Sequence, residues 1–569
     1  MGHFPTKDQI KNDKDGKIHE MKEEYLRIEN NSLKKVLFEE NIISKLESSK
    51  EGYGELNKSQ ISILQKVFSN VLNLIQGPPG TGKTFLSSFI AYNIFKFRKD
   101  KKEKILLCSP SNSAADNLAS NLIKLNNVIG GKMKIMRIYA KSREFLEIPE
   151  SIQKISLHNL LKVKLDKENI VMTTKDILTE NIEKIVEEID IVISTCSTSW
   201  DERIMHFSFP FVIIDEVTQC CEIESLISIA HGCKHLTLIG DQKQLGPVIM
   251  HPKANQTGMN ISIFERLLKL YPNLLNMLTI QYRMHPEIVK FPSYLFYHNK
   301  ILNDDSINER IKNEKLDFNK IFKLPGNGKP LFFIHNEGLE TLIESGTSKI
   351  NEEEVDLVVL VLEKLIKSGV DFEDIGIITP YTAQKELIVE KMKEKYKNSE
   401  KLKISSVDGF QGGEKDFIIL SNVRSNENDQ IGFLKNFRRL NVSITRAKKG
   451  LIIIGNAKCL YNNKCGWKNL INYYQDNKLI FVPEIKIKEN GKKEFIIDKL
   501  EYKKIGNDKN VDWKDIYKEY DFDGSGNIPG NNEDLLDNFE CSENVYLQGN
   551  KRHLNKKKKK KNKNKNKIY

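Results

Sequence analysis

Residues 77 to 84 carry the residue types that bind a phosphate chain. They read Gly-Pro-Pro-Gly-Thr-Gly-Lys-Thr and fit the phosphate-binding loop pattern in full. In such a loop the lysine, Lys83, reaches the β- and γ-phosphates, and the hydroxyl of Thr84 binds magnesium. The motif therefore predicts a site for a nucleoside triphosphate and Mg²⁺. The residues that it places at the nucleotide are Gly77, Gly80, Thr81, Gly82, Lys83 and Thr84.

The flanking segments place this motif where its mechanism requires. The apolar run 71–75 precedes the loop and is typical of a buried strand, and residues 85–97 follow it with a helical pattern. A glycine-rich turn between strand and helix directs backbone N–H groups at an anion, at the positive end of the helix dipole. Strand, loop and helix together argue against a chance match.

A carboxylate pair could complete the chemistry. The apolar run 211–214 ends in Asp215 and Glu216. In phosphate-loop enzymes an aspartate at this place joins the magnesium shell, and the glutamate can orient and deprotonate the attacking water. An apolar strand followed by Asp-Glu is common by chance, so the pair gains its weight from lying about 130 residues after the loop, in the same predicted sheet.

Three further polar side chains could be catalytic or could be ordinary surface residues. Gln244 follows the strand candidate 235–239, where a glutamine can sense the terminal phosphate, but an ordinary polar loop explains it equally well. Arg283 and Arg446 lie beyond residue 276, in the second of two α/β blocks, and an arginine that reaches a γ-phosphate stabilises charge in the transition state. A single arginine is more often a surface residue in a weak ion pair. Two of them in these contexts favour the catalytic interpretation.

Apolar strand candidates alternate with helical segments from residue 57 onward. In the first block these strands are 71–75, 105–108, 189–194, 211–214 and 235–239. In the second block they are 331–334, 375–378, 404–406, 417–420 and 451–454, with helices at 350–367 and 383–395. Such alternation predicts an α/β fold with parallel sheets covered by helices.

The pattern divides the chain into four regions. Residues 1–56 read as a charged helical stalk, and 57–275 as an ATP-binding domain with a helical insertion at about 131–188. Residues 276–484 read as a second α/β domain. Residues 485–569 are rich in Asn and Lys, and we expect little fixed structure there.

The formal charge of +12 is concentrated at one end of the chain. Residues 551–569 contain eleven Lys and Arg and no acidic residue, so the rest is close to neutral. The six consecutive lysines at 556–561 cannot pack into a core. This tail could bind nucleic-acid phosphates or act as a nuclear address; a low-complexity tail without a selected role is an equal alternative.

The remaining features favour a reducing compartment and no membrane span. None of the eight cysteines forms a C-x-x-C pair, which favours free thiols over disulfides or zinc; a redox role for the adjacent pair Cys220 and Cys221 is the alternative. No apolar run approaches the ~20 residues that span a bilayer, and no secretory signal opens the chain. The first six residues formally fit a myristoylation pattern, although one acyl chain binds membranes only marginally. We expect a cytoplasmic protein, with the nucleus as a second location.

The chain resembles the superfamily 1 helicases, most of all the branch that contains the helicase of nonsense-mediated mRNA decay and senataxin. Similarity runs from about residue 56 to 484. The resemblance implies two tandem RecA-like domains that share one ATP and move along a nucleic-acid strand. The segments that carry it are 56–60, 77–84, 109–114, 215–219, 240–247, 281–286, 407–416 and 438–447.

The resemblance also implies roles for single residues. Gln60 would read the adenine, and Tyr282 would stack on it. Gln244 would contact the γ-phosphate, Arg283 and Arg446 would be the arginine fingers, and Glu414 would lie at the nucleotide as well. Contacts to the strand's backbone would hold it without reading its sequence. The residues implied in those contacts are Pro110, Ser111, Asn112, Thr195, Val407 and Gln411.

The chain departs from the family pattern in two places. Large members carry a cysteine/histidine zinc module and a small β-barrel before the motor, whereas the first cysteine here is Cys108 and only 55 residues precede the motif at 56–60. We therefore expect no zinc, and docking of mRNA-decay proteins on such a module is in doubt. Gly413 stands where the family often has arginine, so we expect one weaker contact near the nucleotide.

Residues 521–528 resemble the start of a calcium loop. Their sequence, Asp-Phe-Asp-Gly-Ser-Gly-Asn-Ile, offers oxygens at positions one, three and five and glycine at position six. Position twelve is Asn532, and the acid that should occupy it comes one residue late, as Glu533. A polar turn is therefore favoured over a calcium site.

Taken together, these features predict a monomeric, ATP-dependent RNA helicase or translocase on single-stranded RNA, acting in mRNA surveillance. The 5′-to-3′ direction and the choice of RNA over DNA rest on the resemblance. The alternatives are a DNA helicase of repair or replication, an ATP-switched RNA clamp that does not unwind, and a calcium-regulated accessory protein.

Overall fold

Two seven-stranded sheets, one in each of two compact units, organise the chain in the computed structural model. The structure describes residues 37–511 except 40, 144, 170–174, 314–317, 325–328, 344–347, 492 and 508. Among these residues, the first unit holds 37–77, 82–241 and 262–278, and the second holds 78–81, 242–261 and 279–511. The calcium-loop pattern, the basic tail and the myristoylation pattern lie outside the described residues.

The sheet of the first unit is parallel throughout. Its strands lie in the order β3-β4-β2-β5-β6-β1-β7. In chain order they are β1 (Leu72–Gln76), β2 (Ile105–Ser109), β3 (Ile135–Arg137), β4 (Ile191–Thr195), β5 (Phe211–Asp215), β6 (His235–Gly240) and β7 (Leu275–Met277). Because parallel strands end at one edge of a sheet, the loops that follow β1, β2, β4, β5 and β6 meet there.

Buried side chains alternate between the two faces of this sheet. Ile105 and Leu107 of β2 pack in one apolar cluster with Phe89, and Leu106 packs in a second cluster with Phe264. This period of two explains why the strands read as continuous apolar runs, since both faces are covered. The α-helices of the unit are Lys58–Ser69, Lys83–Phe97, Asn112–Val128, Glu150–Gln153, Leu157–Lys167, Lys175–Glu188, Glu222–Ile229 and Ile263–Leu270, and its short 3₁₀ helices are Ile42–Lys45, Phe145–Glu147, Ser197–Trp200, Val217–Gln219 and Pro272–Leu274.

The sheet of the second unit has the order β10-β9-β11-β12-β8-β13-β14. Its strands are β8 (Leu331–His335), β9 (Ile375–Ile378), β10 (Lys403–Ser405), β11 (Lys415–Ser421), β12 (Ala447–Gly455), β13 (Ile480–Ile487) and β14 (Lys493–Tyr502). Neighbouring strands are parallel except β13 and β14, which pair antiparallel.

Helices accompany the second sheet. They are Pro252–Gln256, Pro286–Tyr297, Asp305–Lys312, Phe318–Phe322, Glu352–Lys367, Thr382–Lys395, Phe437–Ile444, Ala457–Tyr461 and Gly466–Asp476, with 3₁₀ helices at Phe372–Asp374, Ser399–Lys401, Asp408–Phe410 and Gly432–Lys435. Two-residue strand pairs join Ile280–Gln281 to Leu302–Asn303 and Thr341–Leu342 to Lys349–Ile350. The prediction of an α/β fold with two parallel-sheet blocks is confirmed.

Three segments differ from the sequence-based expectation. Residues 135–137, expected within a helical insertion, form the edge strand β3, because Ile135 and Met136 are buried against the sheet. Residues 480–502, expected to be largely unstructured beyond 484, form β13 and β14, whose Phe495 and Ile497 are buried in the core. Residues 41–56, expected to be helical, form a 3₁₀ turn and an antiparallel pair of short strands, Ser49–Lys50 and Gly54–Glu55.

Within the described ranges, no helix is both long and apolar enough to cross a membrane. The seven cysteines that these ranges include are free thiols. Two of them, Cys196 and Cys220, bring their Sγ atoms within 3.5 Å in the core of the first unit. No group of three or more His, Cys, Asp or Glu side chains in the described part of the chain could hold a metal ion.

Candidate nucleotide and nucleic-acid site

The phosphate loop connects β1 to the helix Lys83–Phe97 in the first unit. Gly82 caps this helix with φ 77°, a left-handed conformation that glycine adopts without strain. At the start of the loop, the N–H of Gly77 donates to the carbonyl of Gly240 at the end of β6, over 2.9 Å. A Cβ atom on Gly77 would collide with the side chain of Lys83, so only glycine leaves room for that lysine.

Four side chains expected to act on the nucleotide meet at the edge of the first sheet. The hydroxyl of Thr84 donates to Oδ2 of Asp215 over 2.9 Å. Nζ of Lys83 donates to the carbonyl of Gly77 over 2.9 Å and lies 3.5 Å from Oε1 of Glu216. Residues of the loop and of the end of β5 therefore form one polar cluster, as the two motifs require.

Oxygen donors of this cluster suit a magnesium ion. Mg²⁺ is bound by carboxylate and hydroxyl oxygens together with phosphates and water, and Thr84 and Asp215 supply a hydroxyl and a carboxylate side by side. Burial of Asp215 and the neighbouring charge of Glu216 raise the pKa of the aspartate, although Lys83 opposes them. A cation bound there would stabilise the carboxylate that burial disfavours, so the residues fit this metal.

Glu216 has a backbone conformation that is rare for its residue type. Its φ is 57°, in the left-handed region, at the start of the 3₁₀ helix Val217–Gln219. The side-chain amide of Gln219 donates to Oε2 of Glu216 over 3.0 Å. Such backbone strain costs about 1–3 kcal/mol and is common at functional sites. Here it turns the chain sharply after β5, so that Glu216 points to Lys83.

Gln60 lies beside the same loop in the first unit. Its side chain closes a capping box with Asn57: Oε1 accepts from the N–H of Asn57 and the N–H of Gln60 donates to Oδ1 of Asn57. Nε2 of Gln60 is close enough to Gly82 that a Cβ atom there would come within 2.9 Å. The glutamine expected to read adenine is thus buried and held beside the loop by helix capping.

The second unit brings Arg446 and Gln244 together. Nη2 of Arg446 donates to Oε1 of Gln244 over 3.1 Å, and its Nε donates to the carbonyl of Val442 over 2.9 Å. Both side chains are buried. Nη1 of Arg446 reaches the carbonyl of Gly413 at 3.4 Å, so this glycine contributes a main-chain acceptor whatever its side chain.

Arg283 pairs with Glu414 in the same unit. Nε of Arg283 donates to Oε2 of Glu414 over 2.6 Å, and Lys448 lies 3.0 Å from the other oxygen of this carboxylate. Desolvation favours the neutral acid, but the charges of Arg283 and Lys448 outweigh it and hold the pKa of Glu414 below its usual range. Glu414 therefore acts as the carboxylate that orients Arg283.

Tyr282 and the tip of the phosphate loop also belong to the second unit. The N–H of Tyr282 donates to the carbonyl of Gly80 over 2.9 Å, and its ring is about one-third exposed. A Cβ atom on Gly80 would come within 2.6 Å of Cβ of Arg283. The hydroxyl of Thr81 donates within the loop, to the carbonyl of Pro78 over 2.8 Å. The segment 281–286 is thus packed on the residues that the loop motif requires to be small.

Candidate strand-binding residues of the first unit follow β2 and β4. These strands are neighbours, and Ser109 pairs with Thr195 at their ends. Just beyond Pro110, the exposed Ser111 caps the helix Asn112–Val128 by accepting from the N–H of Ala114 over 3.2 Å. Thr195 is bonded to Thr198 through the two hydroxyls at 2.7 Å.

In the second unit, Val407 and Gln411 flank the 3₁₀ helix Asp408–Phe410 after β10. Val407 is buried, whereas Gln411 is partly exposed. Of these two residues, Gln411 is therefore the one more open to a ligand.

Two polar pairs at the first sheet were missed by the sequence analysis. Nε2 of Gln76, the residue before the loop, donates to Oδ1 of the buried Asp241 over 3.1 Å. The buried Arg137 pairs with Asp116 over 3.0 Å. Gln76 and Asp241 could have been noticed as polar residues that end apolar strands, but the partner of Arg137 lies in another element and only the fold identifies it.

Comparisons with known proteins agree with this arrangement. Two family models described as AAA domain match the chain, one at residues 55–183 and 173–252 and the other at 259–458. A Neurospora crassa protein named "Regulator of nonsense transcripts 1 homolog" is 41% identical over 453 residues, which are 75% of this chain and 40% of that protein. "ATP-dependent helicase NAM7" of Saccharomyces cerevisiae is 39% identical over 451 residues, 76% of this chain and 44% of that protein.

The chain thus spans less than half the length of these relatives. Among solved structures, the one titled "Crystal Structure of DUF1998 helicase MrfA bound to DNA" matches over 77% of this chain and 53% of that chain, at 13% identity and a TM-score of 0.41. The residues matched by the two family models include the phosphate loop, the carboxylate pair and both arginine segments. The chain belongs to the Upf1-like branch of the superfamily 1 helicases.

Proposed function

We propose that this chain is an ATP-dependent RNA helicase or translocase that moves 5′ to 3′ along single-stranded RNA. The observation that carries the proposal is the cluster of Lys83, Thr84, Asp215 and Glu216, whose mutual distances of 2.9 Å and 3.5 Å suit hydrolysis of a nucleoside triphosphate. The names of its relatives, which include helicases and regulators of nonsense transcripts, support the choice of RNA and of mRNA surveillance.

In this proposal each residue has a separate task. The loop N–H groups and Lys83 bind the β- and γ-phosphates of ATP. Thr84 and Asp215 would hold Mg²⁺, which would supply positive charge to neutralise the phosphates. Glu216 orients the attacking water and accepts its proton, so that ATP and water become ADP and phosphate.

The other residues that the family resemblance implies have further tasks in the proposed reaction. Arg446 and Arg283 stabilise the charge that develops on the γ-phosphoryl group, and Gln244 responds to whether that group is present. Gln60 and Tyr282 bind the adenine, with Glu414 holding Arg283 in place. The contact between Arg446 and Gln244 gives the two residues a common response to the nucleotide.

Strand binding is assigned to the segments 110–112, 195–198 and 407–411. They offer hydroxyls, an amide and main-chain groups, which suit a phosphate backbone rather than base edges. We place the activity in a monomer in the cytoplasm, with the nucleus as a second location and mRNA-decay proteins as partners.

The test compares ATPase rates without nucleic acid, with single-stranded RNA and with single-stranded DNA of the same sequence. RNA should stimulate the rate more than DNA, and a duplex with a 5′ single-stranded overhang should unwind when ATP is added. Equal or greater stimulation by DNA would favour a DNA helicase of repair or replication. Stimulated hydrolysis without strand separation would favour an RNA clamp.

A further inference from the structure

A buried arginine lies behind one of the candidate strand-binding residues. Arg137, on the edge strand β3, is fully buried. Its Nη2 donates to Oδ1 of Asn112 over 2.9 Å, and Asn112 is the first residue of the helix that follows β2. We propose that Arg137 is a positioning residue that fixes the amide of Asn112 for contact with a strand phosphate. This inference rests on the proposed function, because it deepens the role of the same site.

Hydrogen-bond chemistry sets the direction of the Asn112 amide. A guanidinium group can only donate hydrogen bonds, so it must face the oxygen of the amide and not its nitrogen. Oδ1 and Nδ2 branch from one carbon atom, so Nδ2 is directed away from Arg137. The group left for a ligand is therefore a donor, and its partner must be an acceptor such as a phosphate oxygen.

The arginine is itself held rigidly from several sides. Oδ1 of Asp116 accepts from Nε of Arg137 at 3.0 Å and from the hydroxyl of Tyr139 at 2.8 Å. The guanidinium lies 4.0 Å from the centre of the Tyr139 ring, and Nη1 donates to the carbonyl of Ile138 over 2.6 Å. A buried charge with these partners has little freedom, since breaking any one bond leaves a buried polar group unsatisfied.

The same cluster extends to the second candidate strand-binding segment of the first unit. Nη2 of Arg203 donates to the carbonyl of Tyr139 over 2.6 Å, and the guanidinium of Arg203 also binds the carboxylate of Asp201, three residues after Thr198. Because the N–H of Asp201 donates to the carbonyl of Thr198 over 3.1 Å, a chain of hydrogen bonds connects the segments 110–112 and 195–198. Asn112 also lies at a helix N-terminus, where the partial positive charge of the helix favours an anion.

A single substitution separates the positioning role from a purely structural one. In Asn112→Asp the carboxylate keeps an acceptor for Arg137, and the hydrogen bond becomes an ion pair. The thermal unfolding midpoint should therefore be unchanged or raised. The other oxygen now faces the ligand as a negative acceptor where a donor stood, so affinity for single-stranded RNA should fall about 10- to 100-fold. If the contact only stabilised the fold, the affinity for RNA would not fall while the unfolding midpoint was kept or raised.

A second variant tests whether Arg137 affects RNA binding through Asn112. Arg137→Lys keeps a charge opposite Asp116 but cannot donate to Asn112 and Asp116 with a planar fork. It should weaken RNA binding about 3- to 10-fold in the wild-type background and have no further effect when Asn112 is already alanine. The matched control is Asn121→Asp, which adds the same charge on an exposed part of the same helix and should change affinity less than about 2-fold.

Affinity is measured without nucleotide, by fluorescence anisotropy of a labelled single-stranded RNA oligonucleotide with the full chain. The positioning role is wrong if Asn112→Asp leaves the affinity for RNA unchanged. It is also wrong if Arg137→Lys weakens RNA binding equally in the wild-type and Asn112→Ala backgrounds. Neither result contradicts the proposed function. A wild-type chain that binds no oligonucleotide would overturn the proposed function and the positioning role together. If Arg137→Lys fails to fold, the Asn112→Asp arm still decides, because it leaves Arg137 and Asp116 in place.

Discussion

The hydroxyl of Thr84 donates a 2.9 Å hydrogen bond to Oδ2 of Asp215, a residue 131 positions further along the chain. The two strands that lead to these residues, β1 and β5, are separated in the sheet by β6. The bond therefore depends on the parallel order of three strands and on the loop that returns the chain over their ends. It places a hydroxyl and a carboxylate, two kinds of oxygen ligand that suit Mg²⁺, side by side.

Replacing Lys83 should abolish turnover. Its ammonium group is held by the carbonyl of Gly77 at 2.9 Å and lies close to Glu216. Lys83→Ala removes the charge that would meet the β- and γ-phosphates, and the nucleic-acid-stimulated ATPase rate should fall about 100-fold or more. The control is Lys96→Ala in the same helix, whose lysine pairs with Glu47. Full activity in Lys83→Ala would remove this lysine from the reaction.

Glu216→Gln should separate ATP binding from ATP hydrolysis. Glutamine has the same shape and can adopt the same φ of 57° at a similar cost, but it cannot accept the proton of the attacking water. We expect turnover to fall by about 10²-fold or more while a fluorescent ATP analogue binds with unchanged affinity. Glu222→Gln, which alters a carboxylate paired with Arg266, is the control. Unchanged turnover in Glu216→Gln would assign the base role elsewhere.

Arg446 and Gln244 should act as one unit. Because Nη2 of Arg446 donates to Gln244 over 3.1 Å, either single substitution to alanine disturbs the partner. We expect Arg446→Ala to lower kcat on the order of 10³-fold, and the double variant to cost much less than the sum of the two single changes in activation free energy. Steady-state ATPase rates at saturating RNA, measured for the wild type, both single variants and the double variant, give this double-mutant cycle. Additive effects would show that the contact has no role in turnover.

Glu354 should make stability depend on pH. It is buried, and its Oε2 accepts from the hydroxyl of Ser421 at 2.7 Å and from the N–H of Val423 at 2.9 Å. Burial raises its pKa from 4.5 to about 8. The folded state thus keeps a proton that the unfolded state releases near its ordinary pKa. This contribution to stability is fully present below about pH 4.5 and is lost as the pH rises through about 8.

Glu354→Gln mimics the neutral acid and should remove this dependence. Above pH 8 the variant should resist urea more than the wild type, by a few kcal/mol in order of magnitude, and near pH 5 the two should be alike. Urea unfolding midpoints at pH 5 and pH 8.5 give the comparison. The control is Glu352→Gln, an exposed acid in the first turn of the same helix. A variant equally destabilised at both values would contradict the assigned protonation.

Local sequence was sufficient to predict most of the fold and to locate the phosphate loop and the carboxylate pair of the first unit. Apolar runs bounded by polar turns located ten strands of the two sheets to within a few residues, because strands buried on both faces require such runs. The phosphate loop was predicted from its sequence pattern. The structure gives a reason for the first glycine of that pattern, because a Cβ atom on Gly77 would collide with the side chain of Lys83. Short strands such as Ile135–Arg137 escaped detection, because three residues carry no periodicity.

Tertiary structure alone decided which distant side chains meet. Nothing near Arg137 in the sequence indicates that it supports Asn112, 25 positions earlier, or that Glu414 would hold Arg283. These contacts arise because strand order brings together loops that are remote along the chain, and a polar group buried there must find its partner in space. Sequence thus determined which groups are available for the reaction, while the order of the strands determined which of them act together.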